Sequence, residues 1–98
     1  MTRLAVVFAL SALCAAPALA YTCTISPKGD AVVVKTDNPS AQPVTCQVTC
    51  RFAVGAGSET VTCAQQIPPG AKGWYVCVRP TGGKAFGKLE GGSESCKP

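Results

Sequence analysis

No histidine occurs anywhere in this chain of 98 residues. Its absence removes Ser-His-Asp and Cys-His nucleophilic sites, histidine general-base chemistry and the commonest metal ligand. Carboxylates are few: Asp30, Asp37, Glu59, Glu90 and Glu94 are the whole set. Glycosidase chemistry needs two carboxylates facing each other across a cleft. Each of these five lies in or next to a turn-rich stretch, where a solvated charge is the ordinary explanation. No glycine-rich phosphate loop, heptad pattern or internal repeat is found. Asn38-Pro39-Ser40 has the outline of a glycosylation acceptor, but proline in the middle position disqualifies it. The formal net charge of +4 falls well short of a nucleic-acid-binding footprint. The chain is therefore expected not to be an enzyme, to carry no metal or cofactor, and to bind no specific nucleic acid.

Long apolar runs are also missing, with one short exception at the N-terminus. Met1-Thr2-Arg3 precedes an apolar run from Leu4 to Ala16, followed by Pro17-Ala18-Leu19-Ala20. A basic start, an apolar stretch too short to span a bilayer, and small residues at Ala18 and Ala20 make up a secretory signal peptide. Cleavage is expected after Ala20, leaving a single domain over residues 21–98 with no transmembrane segment. Cys14 is preceded by Leu13, where a lipoprotein signal carries a small residue, so lipidation is not expected. The alanine-rich signal points to a bacterial source and to a secreted or periplasmic destination. Loss of Arg3 leaves eight Lys and Arg against five Asp and Glu, a net charge of +3.

Cysteine is the residue in surplus. Beyond Ala20 there are six: Cys23, Cys46, Cys50, Cys63, Cys77 and Cys96. An even set in a short exported chain reads as a disulfide framework, and six cysteines allow fifteen pairings. A domain this small buries little apolar surface, and each bridge adds about 2–4 kcal/mol by restricting the unfolded chain. The reduced protein is expected to be largely unfolded. Zinc and thioredoxin-type motifs prefer two residues between paired cysteines, whereas three separate Cys46 from Cys50. On a strand those two Cα atoms lie roughly 13 Å apart, too far to bond each other.

The hydrophobic pattern has period two. Cys46, Val48, Cys50, Phe52 and Val54 fall on one face of the segment 45–54, and Thr45, Gln47, Thr49, Arg51 and Ala53 on the other, the mark of a half-buried strand. Gly55-Ala56-Gly57-Ser58 reads as a turn, and Thr60 to Ala64 alternates again. Folding back about a four-residue turn would set Phe52 opposite Val61 and Cys50 opposite Cys63, making Cys50–Cys63 a candidate cross-strand bridge. Tyr21 to Ile25 and Ala31 to Thr36 read as two further strands on either side of Pro27-Lys28-Gly29-Asp30. Trp74 to Arg79 is apolar on both faces, as a central strand would be. Ala85 to Leu89 reads as a weak last strand, and Gly91 to Ser95 as a loop carrying Cys96. The expected fold is all-β: a small disulfide-stapled antiparallel sandwich, immunoglobulin-like, or a partly open barrel of about six strands. Ile67-Pro68-Pro69-Gly70-Ala71, set between two strands, resembles the inter-sheet turn of immunoglobulin-like modules on bacterial surfaces.

One cluster reads as a possible binding surface. Lys72, Trp74, Tyr75, Arg79, Lys84, Phe86 and Lys88 interleave cations with aromatics, a composition that engages anionic polymers or sugars by charge, stacking and cation–π contact. The bland alternative divides the aromatics between core and surface and leaves the cations solvated. The loops Gly55–Ser58 and Thr81–Lys84 and the open sheet edges are further candidate contact surfaces. The expected function is a non-catalytic binding module for an envelope protein, a surface polymer or sugar, or an inhibited target. The alternative is a cationic, membrane-active or antimicrobial protein.

Overall fold

The computed structural model describes residues 21–98. The expected signal segment, with Cys14, lies outside the described residues. Six strands follow in order: β1 (Thr22–Ile25), β2 (Ala31–Thr36), β3 (Val44–Val54), β4 (Gly57–Ile67), β5 (Trp74–Pro80) and β6 (Phe86–Lys97). They form two antiparallel sheets, one in the order β1-β2-β5 and the other in the order β4-β3-β6. The fold is all-β, an open sandwich and not a closed barrel. The chain enters as the β1–β2 hairpin, crosses to the β3–β4 hairpin, returns as β5 and crosses again as β6.

The alternation in sequence sets the two faces of each sheet. Along β3, Cys46, Val48, Cys50 and Phe52 are buried while Thr45, Gln47 and Arg51 face solvent. Along β2, Val32, Val34 and Thr36 are buried and the residues between them are half-exposed. Among the described residues eleven hydrophobic side chains are buried, and four of them, Cys23, Cys46, Cys50 and Cys63, are bridged cysteines. Phe52 is the only aromatic among the eleven, with the Phe86 ring 5.6 Å from it at the margin. Covalent links thus stand where a larger domain would place aliphatic volume.

The β3–β4 hairpin corrects the expected register. Its turn has two residues, Gly55 and Ala56, and Val54 pairs with Gly57. Gly55 takes φ +58°, the left-handed conformation a tight hairpin requires and glycine supplies without strain. The ladder is therefore offset by two residues from the one a four-residue turn would give. Cys50 faces Val61, Cys63 faces Val48, and Phe52 faces Glu59. Cys50–Cys63 does not form. The observed bridges are Cys23–Cys50, Cys46–Cys96 and Cys63–Cys77. The first and third join the two sheets across the interior, with Cα separations of 6.2 Å and 6.0 Å. The second links directly opposed residues of β3 and β6. Three intramolecular bridges belong to an oxidising environment.

Two strands also differ from expectation. β5 is an edge strand, not a central one, because its only ladder is with β2. The register moves between Val34 and Lys35, leaving Val76 as the extra residue of a bulge. Val76 is buried and Cys77 bridges inward to Cys63, while Tyr75 and Val78 are left exposed. The continuous apolar run therefore reflects a break in alternation and not burial of both faces. β6 does not stop at Leu89: Gly91 to Ser95 continue it along β3. Glycine suits this pairing at Gly92, where a Cβ would lie 2.8 Å from the Thr49 carbonyl oxygen and 3.0 Å from the Tyr21 hydroxyl.

Polar side chains clasp the two layers. The buried Thr36 hydroxyl of β2 donates to the Glu94 carboxylate of β6, so Glu94 is neither in a loop nor fully solvated. Asn38 is buried in the β2–β3 crossover. Its Nδ2 donates to the carbonyls of Gln42, Ile67 and Pro68 at 2.8, 3.1 and 3.1 Å. Its Oδ1 accepts from the backbone N–H and the hydroxyl of Ser40. This amide pins the β2–β3 crossover to the Ile67-Pro68-Pro69-Gly70 crossover, which passes from one sheet to the other as its sequence implies.

Candidate binding surface

β5 sets out the aromatic half of the expected cluster. Trp74 is 44% exposed, Tyr75 53% and Val78 50%, all on one seven-residue edge strand. Register places Tyr75 beside Lys35 and Val78 beside Val33 on the outer face of the sheet. Trp74 pairs with Thr36 at the end of the strand. The Lys35 ammonium stands 4.8 Å from the centre of the Tyr75 ring, close enough for cation–π attraction. Lys72 is exposed in the loop just before β5. Lys35 was not among the residues singled out in the sequence; its proximity to Tyr75 depends on the β2–β5 pairing, which is non-local.

The other half of the cluster lies elsewhere. Arg79 Nη2 donates to the Thr62 carbonyl of β4 at 3.3 Å, so it ties the β5 edge to the facing sheet. Lys84 pairs with Glu59 at 2.7 Å, and Phe86 packs on Phe52 in the interior. Lys88 is exposed on β6. Thr36, beside Trp74, contacts Glu94 near the end of β6, whereas Phe86 begins that strand, so the two halves occupy opposite ends of the sandwich. Residues interleaved in sequence thus resolve into a surface group (Lys35, Lys72, Trp74, Tyr75, Val78), a set of structural contacts (Arg79, Lys84, Phe86) and Lys88, exposed apart from both.

The carboxylates are all engaged. Each of the five carboxylates has an intramolecular partner. Asp30 accepts from Ser26, Asp37 from the Gly73 N–H, and Glu94 from Thr36. Glu59 pairs with Lys84, and Glu90 with Arg51 at 3.5 Å and with Ser58. Among the described residues, six cations form no ion pair: Lys28, Lys35, Lys72 and Arg79 on the β1-β2-β5 sheet or its loops, and Lys88 and Lys97 on β6.

The opposite outer face is polar. Thr49, Arg51, Thr60, Gly91, Gly92 and Ser93 line a shallow groove of about 280 Å³ on the β4-β3-β6 sheet. Its guanidinium is already engaged by Glu90, and no aromatic ring borders it. Near the end of β6, Cys46, Glu94 and Cys96 bring potential ligand atoms within 4.8 Å of one another. There the two sulfurs are bonded to each other and the carboxylate accepts from Thr36, so the donor set is committed to the fold.

The chain matches no protein-family model, no curated protein and no solved structure. The functional argument therefore rests on the arrangement of these residues.

Proposed function

We propose that this chain is an exported, non-catalytic binding module that meets its partner through the β5 margin of the β1-β2-β5 sheet. The observation that carries the reading is the run of exposed apolar side chains on that one edge strand, Trp74, Tyr75 and Val78. Large apolar side chains gathered on a rigid surface mark interaction sites. The strand is held by the Cys63–Cys77 bridge and by Arg79, so the surface is pre-organised and little ordering entropy opposes binding. The lack of histidine and the engagement of every carboxylate favour binding over catalysis. The signal-like N-terminus and the bridges favour export.

A photoactivatable residue placed at Val78, in the cell that makes the protein, tests this reading. Gln47, exposed on the opposite sheet, serves as the control position. Position 78 should yield discrete adducts that position 47 does not. Equal labelling from both positions, or none from either, would remove the assignment of function to β5.

A further inference from the structure

The β5 margin favours one kind of partner. An added peptide strand needs a regular free edge. β5 is broken by the bulge at Val76 and ends at Pro80, which has no N–H to donate, and both features discourage strand addition. The groove described above lies on the other sheet. What remains is an edge strand with Tyr75 and Val78 exposed on its outer face and Trp74 exposed at its end, flanked by Lys35 and Lys72. Aromatic rings with lysines beside them suit the water–lipid interface, where rings settle among headgroups and cations attract anionic lipid. Recognition of that kind requires no hydrogen-bond register.

We infer that the β1-β2-β5 sheet docks on an anionic lipid bilayer through Tyr75 and Val78 of its outer face, with the exposed Trp74 at the strand's end beside them and with Lys35 and Lys72 facing the headgroups. This rests on the binding reading above and names its partner. Charge supports the orientation locally: Lys35 and Lys72 flank the exposed aromatic side chains without ion-pair partners, whereas Lys88 and Lys97 on β6, also unpaired, belong to the other sheet. The outer face of β4-β3-β6, with Thr49, Arg51, Thr60 and Ser93, then turns to water. Docking is peripheral for the described residues, because the sheets are tied by disulfides across the interior and no helix among those residues is long and apolar enough to cross a membrane.

The chain has a single tryptophan, so its fluorescence reports this surface directly. The oxidised protein is mixed with vesicles of phosphatidylcholine containing phosphatidylglycerol, and with pure phosphatidylcholine. Sedimentation with the anionic vesicles, a blue shift of Trp74 emission, loss of both at high salt, and no release of trapped dye are expected. Replacing Lys35 and Lys72 together by glutamine should weaken binding about thirty-fold, at about fivefold for each lysine near the surface. Replacing Lys88 and Lys97, on the other sheet, should change it less than about threefold. Equal weakening by the two pairs, dye release, or no binding to anionic vesicles would each overturn the inference. A Trp74 shift with soluble polyglutamate but not with vesicles would overturn the lipid assignment while leaving the β5 surface standing. No response to either, together with no adduct from position 78, would overturn both.

Discussion

At the scale of single residues, Asn38 shows how a polar side chain becomes a structural fixture. Its neighbours in sequence read only as a disqualified glycosylation site, and nothing local shows that the amide is buried. Its three carbonyl partners lie in two crossovers, one of them about thirty residues away, and are legible only after the fold exists. Asn38→Ala should destabilise the protein by about 3 kcal/mol, since it leaves buried carbonyls without a donor. Asn38→Asp should be worse, because it sets an acceptor against the same three carbonyls while keeping the contact to Ser40. Urea denaturation of the two variants checks the order; an aspartate variant as stable as the parent would show that the donated bonds contribute little. Glu94 teaches the same lesson. The glycines around it implied a loop, yet the requirement that Gly92 lie against Thr49 and Tyr21 makes glycine a condition of strand pairing here.

At the scale of elements, strand existence was readable and strand environment was not. β1, β3 and β4 follow from period-two alternation and β2 from its β-branched run, and their centres fall where those patterns place them. The β3–β4 register was missed by two residues, because a two-residue turn and a four-residue turn keep the same residues inward and differ only in which of them face each other. Disulfide pairing went with it: a cysteine on an inward face can reach along its own sheet or across the interior, and Cys50 reaches across to Cys23. β5 was misread because its bulge imitates burial on both faces. The candidate surface was half-legible, with Trp74, Tyr75 and Lys72 local in sequence, Lys35 supplied by pairing, and Lys84 and Phe86 diverted to other contacts. The anchoring of β5 yields a prediction at this scale. Replacing Cys63 and Cys77 together by alanine should lower stability by about 3 kcal/mol, as expected for a loop of this length. Amide exchange should rise first along β5, which loses its covalent tie, while β3, paired on both sides, stays protected. Uniform loss of protection would mean that β5 is held by the core and not by its bridge.

For the whole molecule, the balance between bridges and packing decides whether there is a fold at all. A domain of this size buries a smaller share of its surface than a larger one does, and here bridged cysteines fill four of the eleven buried hydrophobic positions among the described residues. Two bridges cross between the layers and one closes β6 onto β3, so β5 and β6 have a covalent tie besides their ladders; β1, only four residues long, is fastened by Cys23. At about 2–4 kcal/mol per bridge, three together rival the total stability of an ordinary domain. Full reduction without denaturant should therefore collapse the dispersed amide spectrum to that of an unfolded chain, and reoxidation in a thiol–disulfide buffer should restore it. Retention of a dispersed spectrum after complete alkylation of six thiols would show that apolar packing suffices, and the bridges would then need another explanation. The same experiment bears on the surface. Tyr75 and Val78 are exposed because the inward link at Cys63–Cys77 and the bulge at Val76 hold β5 in one setting, so the reduced chain should lose vesicle binding along with its fold. A flexible cationic segment acting by charge alone would keep it.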